Sequence, residues 1–460
     1  MKEVFFMNMY KKYALILSVL MISQVSSPAV NVLADENNTS QSYQNETSNE
    51  KTSESIEVLQ KQNEIVNIPD ANLKKVLNKV LNQSENDDIT LEQLENITEI
   101  NAVNSGISSI EGLQYCKNLK YLELMHNRIR DFKPIENLSN LEGLDVAGNR
   151  ISDLKVFKNL KNLKFLDVSR NSITKIEGLE ELSNLEQLFL DNNQIAIIEG
   201  LETLTNLNRL ILSNNGIYFI EGLEKLSNLE YLYLRDNEIN HIENISHLSK
   251  LRLLDLSNNH VAEVQGLEEL TNLEYLYLTK NRIDKIEGLE GLTKLGDFDI
   301  SDQEIYLFSL EAKDSSLEID NVLVSLNGEV IKPSEISGGG NYNSETNKIK
   351  WDNILKNGFE NYSFVKDIEI GNANGIFSGI VLQPITYTNF NEGNTDTDNN
   401  KENDVDKEDG NDILESENDA LDSKDSNTTT TLPATGQESS LPLLSLALLS
   451  GGAVLVRKKR

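Results

Sequence analysis

The chain has 460 residues, enough for two or three folded domains whose cores need no disulfide support. Aspartate and glutamate number 74 against 42 lysines and arginines, and the net charge of −32 argues against nucleic acid or anionic lipid as partners, since both repel it. With a single cysteine, Cys116, no intrachain disulfide is available.

At the N-terminus, Lys11 and Lys12 flank a short apolar run around Ala14 to Ile22, and Val32-Leu33-Ala34 offers small or apolar residues at the −3 and −1 positions of a cleavage site. The run is well short of the ~20 residues that span a bilayer, so residues 1–34 read as a secretory signal peptide. Residues 35–62, rich in Asn, Ser, Glu and Thr, form a polar linker that cannot bury a core. Leu73, Val76, Leu77, Val80 and Leu81 then fall at i, i+3, i+4, i+7 and i+8, one apolar face of a helix with Asp70 as its N-cap. Residues 63–96 are therefore expected to form a helical cap over the core that follows.

Asparagine recurs at 127, 149, 171, 193, 215, 237, 259 and 281, always 22 residues apart, inside a constant frame such as Leu185-x-x-Leu188-x-Leu190-x-x-Asn193-x-Ile195. This is the leucine-rich-repeat signature at the short end of its period. The alternation Leu188-x-Leu190 predicts a short strand with one buried face, and stacked repeats pair these strands in parallel. The asparagine amide, which both donates and accepts, suits the backbone groups of the bend and of the next repeat. The remainder, Ile198-x-x-Leu201-x-x-Leu204-x-x-Leu207, has a three-residue period that predicts 3₁₀ turns on the convex side. The array is expected over residues 97–305 as a curved solenoid with a parallel concave sheet. Its terminal units are atypical, with Ser105 and Gln303 in place of asparagine, as exposed solenoid ends require.

Residues 306–390 change character. Val322-x-Val324-x-Leu326, Phe364 to Ile370 and Ile376 to Leu382 read as strands, separated by turns such as Gly338-Gly339-Gly340-Asn341. They predict a small antiparallel β-sandwich with Trp351 in its core. Residues 391–431 carry 14 acidic and 3 basic residues and read as an extended, self-repelling spacer. Residues 432–460 contain Leu432-Pro433-Ala434-Thr435-Gly436, an apolar run from Leu441 to Val456, and the terminal cations Arg457-Lys458-Lys459-Arg460. A 16-residue run containing Pro442, Gly451 and Gly452 is marginal as a permanent span. The arrangement resembles the sorting signal read by sortases, in which an enzyme cysteine attacks the Thr435 carbonyl, Gly436 leaves as the amine, and a cell-wall amine resolves the acyl-enzyme.

In this order, the parts resemble the internalin family of Gram-positive surface proteins. The stretch Gly371 to Pro384, with Phe377-Ser378-Gly379 inside it, resembles the end of that family's immunoglobulin-like adjacent domain. The resemblance implies an α/β leucine-rich-repeat solenoid with a helical N-terminal cap and a C-terminal immunoglobulin-like β-sandwich. It also implies an exported protein covalently anchored to peptidoglycan, with a concave face that binds a host cell-surface protein in adhesion or virulence. Beyond the sandwich only the spacer is expected, and the chain is expected to be a monomer.

The repeat frame identifies the outward strand positions. One column runs Tyr121, Gly143, Phe165, Gln187, Arg209, Tyr231, Leu253, Tyr275 and Asp297, and the next Glu123, Asp145, Asp167, Phe189, Ile211, Tyr233, Asp255, Tyr277 and Asp299. Tyr231, Tyr233, Tyr275 and Tyr277 are expected to cluster around Leu253, with Arg235 and Lys280 nearby. Aromatics and arginine dominate interface hot spots, although cross-strand aromatic pairs also simply stabilise sheets. The first half of the face, at Glu123, Asp145 and Asp167, is acidic and suits a basic partner. A glycan-binding protein or a passive surface spacer or decoy is the alternative to a host-protein binder.

The histidines at 126, 241, 247 and 260 lack metal-ligand spacing, and Cys116 aligns with the core position of Leu138, Leu160 and Leu182. Asp404-x-Asp406-x-Glu408 with Glu415 resembles a calcium loop, but its glycine comes one place late, at Gly410. No nucleophile elbow, phosphate loop or zinc pattern occurs, so no catalytic residue, metal or cofactor is expected.

Overall fold

The computed structural model describes residues 63–387 apart from Asp314. The expected signal peptide, the polar linker, the acidic spacer and the pentapeptide Leu432–Gly436 lie outside the described residues.

Helix α1 (Ala71–Val80) opens at Asp70, whose Oδ1 accepts from the amides of Asn72 and Leu73 at 3.0 and 3.1 Å. Its Oδ2 accepts from the Ser108 amide and hydroxyl and from the Ser109 amide, so one carboxylate both starts the helix and ties it to the first repeat. Burial pushes the Asp70 carboxyl up, but the donors from Ser108, Leu73 and Ser109 together outweigh it and hold the group below its usual range. Leu73 and Leu77 are fully buried, with Val76, Val80 and Leu81 packed against the core from its margin. A second short helix, α2 (Leu91–Glu95), begins with a reciprocal capping box between Thr90 and Gln93.

Ten strands follow in sequence order: β1 (Glu99–Asn101), β2 (Tyr121–Glu123), β3 (Gly143–Asp145), β4 (Phe165–Asp167), β5 (Gln187–Phe189), β6 (Arg209–Ile211), β7 (Tyr231–Tyr233), β8 (Leu253–Asp255), β9 (Tyr275–Tyr277) and β10 (Asp297–Tyr306). Neighbours pair in parallel, each residue opposite the one 22 positions on, as in Leu188↔Leu210 and Leu210↔Leu232. The central residues, leucine from β2 to β9 with Ile100 and Phe298 at the ends, point inward and are buried at every repeat.

The asparagines form a continuous ladder. Asn215 Nδ2 donates to the carbonyls of Leu190 and Leu212 at 3.1 and 3.0 Å, while its Oδ1 accepts from the Ile195 amide at 3.0 Å. The interrepeat bonds therefore run to the preceding repeat rather than the next one, and each carbonyl in the row is shared by two asparagines. Gln303 does the same work at the end of the array, accepting from the Ile283 amide and donating to the carbonyls of Leu278 and Ile300. The residue before each ladder position adopts a left-handed conformation, with φ between 54° and 64° from Arg170 and Asn192 through Lys280 to Gly148 and Asp302. A second asparagine row lies exposed: Asn184, Asn206 and Asn228 donate to the carbonyls of Lys161, Ser183 and Thr205.

On the convex side, 3₁₀ helices occur only near the ends of the array, at Leu113–Tyr115, Lys133–Ile135, Lys155–Phe157 and Leu289–Gly291. Between them the expected three-residue period survives as separate turns, closed by bonds such as Leu182 N–H to Leu179 O and Leu185 N–H to Leu182 O, both 2.9 Å. Isolated bonds spaced three apart fix the leucines without building a continuous helix.

The repeat sheet does not stop at the last repeat. Asp297 to Asp299 of β10 pair with β9, and from Ile300 onward β10 pairs in parallel with β17 (Ala373–Tyr387) across a register shift between Ile300 and Gln303. Beyond β17 lie β16 (Gly358–Ile370) and β13 (Glu335–Ile336), and β11 (Leu310–Ala312) continues the line of β10 along β17. Strands β12 (Ser316–Asp320), β15 (Lys348–Asp352) and β14 (Asn341–Asn343) form a separate antiparallel sheet. Trp351 is fully buried, its Nε1 donating to the Ser337 carbonyl at 3.0 Å, and Phe364 meets Phe377 edge-on at 4.9 Å.

Three expectations are corrected here. The segment Val322–Leu326 forms no strand; only Val324 makes isolated bridges, to Lys285 and Val330, because its alternation packs against the last repeat rather than a neighbouring strand. The strands around Phe364 and Ile376 are longer than their apolar cores suggest, since they zip together from Gly358↔Ile385 to Ile370↔Ala373. The segment is also not purely antiparallel, because β17 lies parallel to β10 and β11. That pairing needs Gly379: a Cβ there would stand 2.2 Å from the Gln303 carbonyl oxygen.

Candidate functional site

The pleat dictates which side chains line the concave face. With leucine inward at the centre of each strand from β2 to β9, the flanking positions point out, and successive strands set them beside one another. In the second column Phe189, Ile211 and Tyr233 form an apolar cluster, with Phe165, Tyr231 and Leu253 packed at its margin. Phe165 and Phe189 meet edge-on at 5.3 Å and 77°.

This geometry corrects the expected grouping of four tyrosines. The cluster is centred on β4 to β8, because buried Asp255 interrupts the column between Tyr233 and Tyr277. Mutual packing also leaves Tyr233, Phe189 and Ile211 only 6, 8 and 9% exposed, so the accessible contacts are the half-exposed Phe165, Tyr231, Leu253 and Tyr275. Tyr277 instead donates from its hydroxyl to Asp297 Oδ2 at 2.8 Å. Burial, then that carboxylate, pushes its phenol well above its usual range. Arg235 is exposed and pairs with Asp236 at 3.1 Å, and exposed Lys280 holds the left-handed turn before Asn281. Tyr121 is half-exposed on β2, its ring close against Gly143.

Tyr231 is the best-organised contact. The Arg209 guanidinium, itself buried, lies 4.4 Å from the Tyr231 ring centroid, and that of Arg252 lies 5.9 Å away. Arg252 also donates to the Tyr231 hydroxyl at 3.1 Å and holds Glu274 through two bonds of 3.0 and 2.8 Å. That pairing holds the Glu274 carboxyl below its usual range and raises Arg252 above its own. Arg252 is absent from the residues chosen on sequence because it stands one place outside the strand. The signal was nonetheless present, in the alternating charges Glu230, Arg252 and Glu274 at the repeat spacing.

The acidic half is less charged than its sequence implies. Asp145 and Asp167 accept from the amides of Ala147 and Ser169 at 3.0 and 2.8 Å, closing the strand ends. Burial, followed by the charge of Asp145, pushes the Asp167 carboxyl up to about 8, and burial also raises Asp145, Asp191 and Glu123. Burial thus favours the protonated form of Asp167. Cys116 is fully buried, and burial pushes its thiol up to about 12. Among the described residues no cluster of three His, Cys, Asp or Glu could hold a metal ion, and His247 and His260 bond to the Leu223 carbonyl and Glu238.

Family models agree with this architecture. Residues 117–159 and 249–291 match a model of two leucine-rich repeats, residues 139–195 and 205–261 a leucine-rich-repeat model, and residues 328–386 the LRR adjacent model. No catalytic family is among them, and these matches and the ladder define a leucine-rich-repeat solenoid protein of the protein-binding kind. No curated protein matches the chain. Among solved structures, internalin C2 of Listeria monocytogenes is 36% identical, covering 45% of this chain and 91% of that one with a TM-score of 0.44. The internalin InlF of the same organism is 28% identical over 56% and 88%, with a TM-score of 0.44. InlP of Listeria monocytogenes shares the fold at 18% identity over 71% and 100%, with a TM-score of 0.51. On the repeat and adjacent-domain matches, and on the identity shared across most of internalin C2, the chain belongs to the internalin-like leucine-rich-repeat proteins.

Proposed function

We propose that this chain is a bacterial surface protein that binds a host protein through its concave face. One observation carries the reading: the outward column Phe189–Ile211–Tyr233, flanked by Phe165, Tyr231 and Leu253, is an apolar ridge that the solenoid core does not require, since the core is filled from the opposite face. Its half-exposed members, with Tyr275 and the doubly supported Tyr231, supply large contact area already fixed in place. The contact centre is Tyr231 with Leu253 and Tyr275; Arg252 positions the tyrosine, and Arg235 and Lys280 form a charged rim.

In the same reading, residues 1–34 direct export and Leu432-Pro433-Ala434-Thr435-Gly436 is cut by sortase between Thr435 and Gly436, leaving the chain joined to peptidoglycan. The helical segment caps the array at one end. At the other, two sheets enclosing Trp351 support an immunoglobulin-like adjacent domain. The test is binding of residues 35–431 to cultured animal cells, beside a variant with Tyr231, Leu253 and Tyr275 changed to alanine. Saturable binding lost in the folded variant supports the concave site. Binding that survives it removes the site, and absence of saturable binding removes the host-protein reading for those cells.

A further inference from the structure

The sheet that continues past the last repeat has an outer face that no element among the described residues covers. Burial alternates along β10, β16 and β17, so Gln303, Ile305, Tyr362, Phe364, Phe377 and Val381 point inward and their neighbours point out. On the outward side Phe308 is 94% exposed, and Tyr306, Phe359, Val365 and Ile376 are between 48 and 60% exposed. The register gathers them: Tyr306 lies beside Leu382, Phe359 opposite Pro384, and Val365 next to the pair Asp367↔Ile376. Phe308 lies two residues past the end of β10, its carbonyl accepting from Gln383 Nε2 at 2.8 Å.

The three aromatic side chains, at such exposures, leave on the order of 400 Å² of apolar surface, reached otherwise by the largest patch of a typical monomer. With the aliphatic residues and a polar rim the face approaches the roughly 800 Å² that one side of a stable interface buries. The rim is mostly acidic, with Lys313 and Lys356 exposed only beyond its Phe359 end. Asp302, Glu304, Asp367 and Glu369 are exposed around it, and the cation beside it, Arg282, is already drawn over the Tyr306 ring at 5.7 Å.

Charge decides the occupant. The 391–431 segment, with 14 acidic against 3 basic residues, is repelled by this rim, and a second copy would set the same carboxylates against each other. We propose that this outer face docks a protein whose apolar patch is ringed by lysine or arginine, a second contact surface separate from the concave ridge. It does not rest on the concave reading and stands or falls alone.

The probe is a pair of synthetic amphipathic helical peptides that share one leucine face, one with a lysine and one with a glutamate polar face, titrated against the full chain. The expected result is saturable binding of the lysine peptide, weakened severalfold between about 50 and 300 mM salt, and no binding of the glutamate peptide. A double variant, Phe308→Ser with Phe359→Thr, alters exposed positions and should weaken binding at least about tenfold, the loss typical of removing hot-spot contacts. Tyr275→Ala on the concave face should leave it unchanged. Equal binding to parent and double variant, equal binding of both peptides, or loss in Tyr275→Ala alone would overturn the proposal. So would sedimentation showing concentration-dependent dimers of the parent that the double variant abolishes, which would assign the face to a second copy.

Discussion

Replacing Asn237 with alanine tests whether the ladder holds the solenoid together. Asn237 is buried; its Oδ1 accepts from the Ile217 amide at 3.1 Å and its Nδ2 donates to the carbonyls of Leu212 and Leu234 at 3.0 Å each. Those carbonyls keep a second donor, Asn215 for Leu212 and Asn259 for Leu234, so neither is orphaned. The Ile217 amide is different, with no other acceptor to turn to in a dry interior. An orphaned buried donor costs about 2 kcal/mol and each lost carbonyl bond about 1, giving a destabilisation of about 4 kcal/mol. Asn228→Ala is the matched control, since its bonds to the Thr205 carbonyl and from Lys250 Nζ are both exposed and their loss costs about 1 kcal/mol in all. Urea unfolding of both variants and the parent, with slopes compared as well as midpoints, measures the difference. A break in the middle of the array should also lower the slope, as repeats on either side uncouple. Equal costs for Asn237→Ala and Asn228→Ala would refute the reasoning.

Other outcomes follow from single sites. Because burial raises the Asp167 carboxyl from the usual carboxylate range to about 8, the folded chain holds that proton more tightly, and stability falls as pH rises from that range toward 8. Asp167→Asn removes the penalty, so the variant should gain on the parent by a few kcal/mol between pH 4 and pH 8; thermal melts in which the gap does not widen would contradict this. Gly379→Ala drives a Cβ into the Gln303 carbonyl and should cost about 3 kcal/mol, whereas Gly358→Ala, with nothing within 4 Å, should cost under about 1. Thr435→Ala should move the protein from the cell-wall fraction to the membrane or medium, and unchanged fractionation would remove the sortase reading.

Much of the repeat was legible because its period is a physical necessity: a buried leucine must recur wherever the strand recurs, and an inward-turning chain must satisfy its amides. Gln303 shows the limit of such reading. It looked like a lost asparagine, yet its extra methylene reaches the same three backbone partners across a strand that shifts register at that point. The concave columns were also legible, but not their grouping. Which side chains hide one another depends on the approach of neighbouring strands, so Tyr233 reads as exposed and is buried, and Arg252 matters from outside the strand. The segment after the repeats was least legible, since the alternation of Val322 to Leu326 does not say whether a strand or the last repeat will cover it.

The shared strand β10 has a mechanical consequence. Tension applied beyond Tyr387 reaches β17, which is held along one edge by β16 over 13 residue pairs and along the other by β10 and β11. Load entering β17 is therefore shared between the ladders on its two edges. The same β10 is also the last rung of the repeat sheet, so the load path into the solenoid contains no linker, and the array is pulled as one piece with the segment that holds it.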